Sequence, residues 1–143
     1  MHMVVTGALV ENGAVLLVHR SPTRRAYPDL WDLPGGHVEA GESELQALAR
    51  EMHEELGVHI VTESSARLGD LHLGDGEDAV HLCVWHVGGW VGSPTNHAPD
   101  EHDDMAWVRI DELGGLPLVH GGVAALVRKV VGAAGFEPAT PRL

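Results

Sequence analysis

The chain contains 143 residues with a formal net charge of −12, which suits one domain and argues against nonspecific nucleic-acid binding, because such binding relies on clustered lysine and arginine. Its one cysteine, Cys83, excludes an internal disulfide and indicates a reducing compartment, and its apolar neighbours predict a buried thiol. No apolar run approaches the roughly 20 residues of a membrane span, and the N-terminus lacks the features of a secretory signal. Composition therefore predicts a cytoplasmic protein, a monomer or homodimer, without nucleic-acid or membrane partners. The eleven histidines are scattered without paired spacing, so we interpret them as surface or core residues rather than zinc ligands.

A β-hairpin is the first predicted element. Residues 4–10 and 14–19 are apolar runs that flank Asn12-Gly13, a strong signal for a tight turn. Residues 21–30 follow as a loop that contains proline and arginine. The run Trp-Asp-Leu-Pro-Gly-Gly at 31–36 then leads into the next element.

A capped amphipathic helix is predicted next. Ser43 is a good N-cap, Gln46 completes a capping box, and Gly57 occupies the position of a left-handed C-cap. The expected buried stripe consists of the apolar residues at helical spacing. These are Leu45, Leu48, Met52 and Leu56.

Three acidic residues share a face of this helix. Glu51, Glu54 and Glu55 are separated by three and four positions, which places their side chains together at ~100° per residue. Like charges at that spacing repel each other, and no lysine alternates with them. Mg²⁺ favours carboxylate oxygens and would remove this cost. The pattern therefore predicts a metal site.

The rest of the chain predicts short strands and a second helix. We expect strands at 58–62, 67–73, 79–91 and 105–110, a turn at 74–78, a polar loop at 93–104 and a helix at 119–131. This alternation is typical of a layered α/β domain. Residues 132–143 are expected to form a flexible tail, with Phe136 as its one large apolar residue.

The helix and the glycine run before it resemble the Nudix box, GX5EX7REUXEEXGU, in which U is a bulky aliphatic residue. Every fixed position is filled, as the following residues show: Gly36, Glu42, Arg50, Glu51, Met52, Glu54, Glu55, Gly57 and Val58. A match of this length is specific. The resemblance implies an α/β/α sandwich with a mixed sheet between helices, formed by residues 1–131 as a single domain.

The same resemblance implies hydrolysis of a nucleoside diphosphate linked to another group, with Mg²⁺ or Mn²⁺ as the cofactor. Glu51, Glu54 and Glu55 would be the metal ligands, with the Gly36 carbonyl as a further one. Glu42 and Arg50 would form a supporting ion pair, because a bidentate contact between arginine and carboxylate fixes geometry. For the general base, the alternatives are a box glutamate, such as Glu54 or Glu55, and Glu101 in the polar loop.

The substrate is less strongly indicated. The run at 31–36 and the later Trp107 resemble MutT-type enzymes, which convert a nucleoside triphosphate, oxidised or normal, to a monophosphate and pyrophosphate. Tyr27 and Trp31 are candidates to stack on a base, whereas core packing is favoured for Trp85. The arginines near the box are candidates to hold phosphates. The predicted substrate-binding residues are Arg20, Arg25, Tyr27 and Trp31.

Two alternatives stay open. Residues 16–36 partly fit the signature of coenzyme A pyrophosphatases, but Val18, Asp29 and Leu33 depart from it. A nucleotide sensor with the same fold is the alternative class, although sensors would be expected to lose box carboxylates and to carry a second domain. ADP-ribose hydrolases are excluded, because the proline expected some fifteen residues beyond the box is missing.

Overall fold

The computed structural model of the protein describes residues 1–132. The predicted flexible tail, with Phe136, lies outside the described residues except for Gly132, which ends the second helix. Nine strands and two helices make up the described part. They are β1 (His2–Glu11), β2 (Ala14–Arg20), β3 (Trp31–Asp32), β4 (Gly35–His37), α1 (Glu44–Leu56), β5 (His59–Ile60), β6 (Ala66–Leu73), β7 (Val80–Val87), β8 (Trp90–Val91), β9 (His102–Arg109) and α2 (Gly122–Gly132).

The main sheet is mixed. Its strand order is β3-β2-β1-β7-β6, with β4 paired to β1 and β9 paired to β2. Strands β1 and β7 run parallel, and the other pairs in this sheet are antiparallel. The predicted hairpin is confirmed, with Asn12 and Gly13 both at positive φ (53° and 78°) in its turn. Positive φ at both positions matches the twist of the two strands.

Two apolar layers cover the two faces of this sheet. Val5 and Leu9 of β1 pack with the buried side of α1, whereas Ala8 and Val10 pack with α2. Successive side chains of a strand point to opposite faces, so β1 contributes to both layers. Cys83 is buried, as predicted. The predicted α/β/α sandwich with a mixed sheet between helices is confirmed.

Helix α1 has both predicted caps. The Gln46 backbone N–H donates to Ser43 Oγ at 3.1 Å, the Ser43 backbone N–H donates to Gln46 Oε1 at 2.9 Å, and Gly57 is left-handed at φ 72°. The buried stripe differs from the prediction at three places. Leu45 is half-buried, while Ala47 and the carboxyl-bearing Glu55 are buried. The acidic face of α1 therefore overlaps its core face instead of lying away from it.

Other differences come from glycine and from contacts distant in sequence. The predicted strand 79–91 is interrupted at Gly88–Gly89, where a Cβ on Gly88 would collide with the Ser64 carbonyl oxygen. Strand β9 begins at His102 rather than 105, and α2 begins at 122 rather than 119. Strands β3 and β4 were not predicted. Within residues 1–132, none of the helices has the length and apolarity needed to cross a membrane.

Candidate active site

Helix α1 presents its three adjacent glutamates at very different depths. The side chains of Glu55 and Glu51 are 7% and 13% exposed, whereas that of Glu54 is 56% exposed. One turn of helix separates Glu51 from Glu55, so both carboxylates point toward the sheet. Glu54 points outward, at 3.4 Å from Arg50 Nη1. The predicted trio is thus a buried pair with an exposed neighbour.

Strand β4 brings the glycines of the box against this pair. A Cβ on Gly36 would lie 2.6 Å from both carboxylate oxygens of Glu51, so only glycine permits the approach. The Gly35 backbone N–H donates to Glu55 Oε1 at 3.4 Å. The Glu51 carboxylate therefore fills the place where a side chain at position 36 would stand, and it packs directly against the Gly36 backbone.

The predicted ion pair between Glu42 and Arg50 is present and bidentate. Arg50 Nε and Nη2 donate to the two carboxylate oxygens of Glu42 at 2.8 and 2.9 Å. The same guanidinium donates to Glu51 Oε1 at 2.7 Å and to the His37 carbonyl at 2.9 Å. The hydrogen bonds that Arg50 donates to Glu42 lower the pKa of Glu42 to about 2. Arg50 thus joins the loop after β4 to the carboxylates of α1.

The buried pair is electrostatically unfavourable without a cation. Burial raises the pKa of Glu55 strongly, and the hydrogen-bonded Glu51 carboxylate and the charge of Glu101 raise it further. Two carboxylates this close cannot both ionise cheaply. A hard divalent cation would stabilise both in the charged form, since oxygen-rich sites suit Mg²⁺ and Mn²⁺. The oxygen donors of Gly36, Glu51 and Glu55, which all line the same cleft, fit such an ion.

A cleft of about 1060 Å³ adjoins these carboxylates. Of the predicted substrate residues, Arg20, Arg25 and Tyr27 line it, and so does the candidate base Glu101. Trp31 does not line the cleft. Its ring packs against His19 at a centroid distance of 4.9 Å, and it contacts the core on the α2 side. The structure therefore does not bring Trp31 together with the other predicted substrate residues, and its stacking on a base stays a prediction. Trp85 packs beside the other core layer and donates to Glu44 Oε1 at 2.9 Å, as expected for a packing residue.

Arg20 is engaged with the loop that follows β2. Its Nε donates to the Tyr27 carbonyl at 2.9 Å, and its Nη2 donates to the Ala26 carbonyl at 2.8 Å. Tyr27 has a positive φ of 51°, an uncommon conformation that these bonds help to hold. Arg20 therefore positions the cleft wall in this structure, and Arg25 at the rim is the more exposed of the two cations.

Arg24, which is one of the arginines near the box that are candidates to hold phosphates, lines the rim beside Arg25. Two further residues of the cleft escaped sequence reasoning, namely Asp32 in the wall and His102. His102 is buried with Nε2 3.9 Å from Glu55 Oε1, and burial lowers its pKa to about 4, so it is neutral. Its Nδ1 has no hydrogen-bond partner among the described residues. The adjacency of His102 to Glu101 was the available signal.

Asp32 leads to a prediction on the pH dependence of stability. Burial raises its pKa from 3.8 to about 7. The folded protein then binds this proton more tightly than the unfolded chain, so the stabilisation is fully present below pH 3.8 and is lost as the pH rises through 7. Asp32→Asn cannot ionise. We expect wild type to lose on the order of 10 °C more of its Tm than this variant between pH 4 and 8, because the shift from 3.8 to about 7 spans roughly three pKa units at about 1.4 kcal/mol each.

Thermal denaturation in EDTA at stepped pH would test this prediction. Asp75→Asn, at an exposed carboxylate outside the cleft, is the matched control and should follow the wild-type curve. Parallel curves for wild type and Asp32→Asn would contradict the buried-carboxyl assignment.

Comparison with known proteins gives one consistent result. A family model described as the NUDIX domain matches residues 1–129. The chain is 35% identical over 139 residues to the putative 8-oxo-dGTP diphosphatase 2 of Mycobacterium tuberculosis H37Rv, covering 92% of each protein. It is 30% identical over 126 residues to the CTP pyrophosphohydrolase of Escherichia coli K12, covering 85% of this chain and 87% of the relative. The solved MutT NUDIX hydrolase of Burkholderia pseudomallei superposes with a TM-score of 0.76 at 29% identity, over 88% of this chain and 95% of that one.

Proposed function

Since the chain belongs to the NUDIX family and is a pyrophosphohydrolase of nucleotide derivatives, we propose that its substrate is a nucleoside triphosphate, oxidised or normal. The products are a nucleoside monophosphate and pyrophosphate. The relatives named for 8-oxo-dGTP and CTP hydrolysis support this substrate class. We assign the activity to a single domain formed by residues 1–131.

The observation that carries the proposal is the composition of the cleft. Arg24 and Arg25 stand at its rim, although the whole chain has only nine lysines and arginines. The buried carboxylates of Glu51 and Glu55 lie at one side. Apolar side chains and Tyr27 line another part, which suits the flat face of a base. These apolar residues are Val4, Leu33, Leu73, Val80, Leu82 and Val119.

Glu51, Glu54, Glu55 and the Gly36 carbonyl would hold Mg²⁺ or Mn²⁺. When bound, such an ion neutralises charge on phosphoryl oxygens and makes nearby water more acidic. Arg24 and Arg25 bind the phosphate chain, since guanidinium matches phosphate geometry. A water oxygen forms a bond to phosphorus, the bond from that phosphorus to its bridging oxygen breaks, and pyrophosphate leaves. In this scheme Glu101 accepts the proton of the attacking water, with Glu54 and Glu55 as the alternative acceptors.

A substrate panel tests the proposal directly. Normal and oxidised nucleoside triphosphates, nucleotide sugars, dinucleoside polyphosphates and coenzyme A would each be incubated with Mg²⁺ or Mn²⁺, and the products separated by chromatography. We expect the highest kcat/KM for a triphosphate, with equal amounts of monophosphate and pyrophosphate. Preferential cleavage of coenzyme A would favour the alternative substrate. Release of single phosphate groups, or no cleavage of any triphosphate, would contradict the proposal.

The role of Glu101 can be tested separately. Its carboxylate lines the cleft and raises the pKa of Glu55, and its backbone carbonyl accepts from the Ser21 N–H at 3.0 Å. We expect Glu101→Gln to lower kcat by about 100-fold, within the usual contribution of general base catalysis, with little change in KM. Steady-state kinetics would measure both constants.

Asp100→Asn is the matched control for this variant. Asp100 is exposed in the same turn and does not line the cleft, so this variant should retain wild-type kinetics. An unchanged kcat for Glu101→Gln would remove Glu101 from the catalytic residues.

A further inference from the structure

A second cluster of metal-binding side chains lies away from the cleft. Within residues 1–132, Asp70, His72 and His81 bring one potential ligand atom each within 4.8 Å of one another. His81 Nε2 lies 2.5 Å from Asp70 Oδ2. The rings of His72 and His81 stack with centroids 4.6 Å apart and an interplanar angle of 11°. Two imidazoles and a carboxylate thus converge on one point of the surface.

The register of strands β6 and β7 creates this cluster. His72 and His81 are direct partners across the two strands, and Asp70 precedes His72 by two positions, so all three side chains share one face. The intervening Leu71 and its partner Leu82 point to the opposite face, where Leu82 lines the cleft. The cluster therefore lies on the face of β6 and β7 that Cys83 shares with helix α1, and none of its three residues lines the cleft.

We propose that Asp70, His72 and His81 bind a zinc-class transition-metal ion, with an open position for water. Imidazole suits zinc, nickel and copper, whereas Mg²⁺ prefers oxygen ligands throughout. Zinc is commonly held by three protein ligands when it keeps one position open. The site is thus chemically distinct from the glutamate site of α1 and goes beyond the proposed hydrolysis.

The surroundings leave the site accessible. Asp70 and His72 are exposed, and the side chain of His81 is 22% exposed. One cation is near: Arg67 Nη1 lies 4.0 Å from Asp70 Oδ1. However, Arg67 Nε donates to Glu44 Oε1 at 3.1 Å, which neutralises much of its charge. Small rotations of exposed side chains bring the three ligand atoms to the spacing that zinc bonds of about 2.0–2.2 Å require.

Metal binding at this cluster would also affect the sheet. Strand β6 is the terminal strand of the main order, paired on one side by β7. A metal held by Asp70 and His72 from β6 and by His81 from β7 joins this strand to its neighbour. A ligand that binds the folded protein and not the unfolded chain raises Tm. Zinc should therefore raise the Tm of the protein.

A second stacked histidine pair provides a matched control. His53 and His59 stack with centroids 4.4 Å apart and an interplanar angle of 24°. Among the described residues, no metal-binding group of three includes this pair. Substitution of either pair removes two imidazoles from the protein, but only substitution of His72 and His81 affects the proposed site.

The test is titration of the full chain with zinc chloride in excess Mg²⁺. Calorimetry would measure zinc binding, and thermal denaturation would measure the change in Tm. Wild type should bind one zinc ion per chain. We expect His72→Ala, His81→Ala and Asp70→Asn each to weaken binding by about tenfold or more and to lose the zinc-induced rise in Tm. The double variant His53→Ala/His59→Ala should bind zinc as wild type does.

Two results would overturn the proposal. Wild-type affinity in His72→Ala and His81→Ala would exclude these residues as ligands. An equal loss of affinity in the control pair would indicate adventitious binding to surface histidines. Asp70→Asn keeps the shape of the side chain, so its Tm without zinc verifies that lost binding does not reflect lost folding. None of these measurements uses a nucleotide, so failure of the hydrolysis proposal would leave the result interpretable.

Discussion

Replacement of Glu55 by glutamine should lower kcat/KM for metal-dependent pyrophosphate release by about 10³-fold, equivalent to ~4 kcal/mol of transition-state stabilisation. The buried carboxylate would supply a negative oxygen to the cation, and the neutral amide cannot replace that charge. The same change should leave the metal-free fold at least as stable as wild type, because burial already raises the pKa of Glu55. Activity and metal-free stability should thus respond in opposite directions.

Kinetics with Mg²⁺ and thermal denaturation in EDTA would measure the two effects on the same samples. Glu63→Gln makes the same chemical change at an exposed position remote from the cleft and should behave as wild type. Glu54→Gln extends the series to the exposed carboxylate and is also expected to lose most turnover. Near-normal turnover in both the Glu54 and Glu55 variants would contradict the assignment of these two residues as metal ligands.

Replacement of Arg50 should affect both activity and stability. Its guanidinium makes two bonds to Glu42 and one to Glu51, so removal frees the loop after β4 and leaves the carboxylates of α1 without their cation. We expect Arg50→Ala to lower kcat/KM by about 100-fold, the usual consequence of displacing catalytic groups by an ångström. Its Tm should also fall, because several carboxylates lose a shared partner. Steady-state kinetics and thermal denaturation would measure both.

Two further variants make the Arg50 test specific. Arg67→Ala removes another arginine that contacts helix α1, through Glu44 at 3.1 Å, but lies outside the cleft and should retain turnover. Arg50→Lys keeps the positive charge and loses the forked geometry, so it should remain well below wild type. Full activity of Arg50→Lys would show that charge alone suffices and would contradict the geometric role.

Local patterns predicted the parts of the protein that depend on local chemistry. The hairpin turn at Asn12-Gly13 and both caps of α1 form between residues that are close in sequence. The residue types alone therefore indicate them. The contact between Glu42 and Arg50 was implied by the resemblance to the Nudix box. Each of these features joins residues that are at most eight positions apart in the sequence.

Features that depend on pairing between distant strands were beyond that reasoning. Trp31 lies outside the cleft because β3 pairs with β2 and turns its ring toward His19. His72 and His81 are nine positions apart, and no sequence spacing shows that β6 and β7 align them side by side. The burial of Glu55 could not be predicted without knowledge of the residues that cover α1. Pairing between distant strands decides the positions of Trp31 and of the two histidines, whereas packing against α1 decides the burial of Glu55.

Strand β1 pairs with β4 at Val4, Val5 and Thr6, along the same edge that pairs with β2 near Val10. The strand that carries Gly36 is therefore hydrogen-bonded directly to a central strand of the sheet, with Val5 and Gly36 as partners. Separation of β4 would break its pairing with this central strand, so we expect its amides to exchange with solvent only through large-scale unfolding. Heat inactivation of the enzyme should then coincide with loss of the native fold, without an earlier step in which only the site melts.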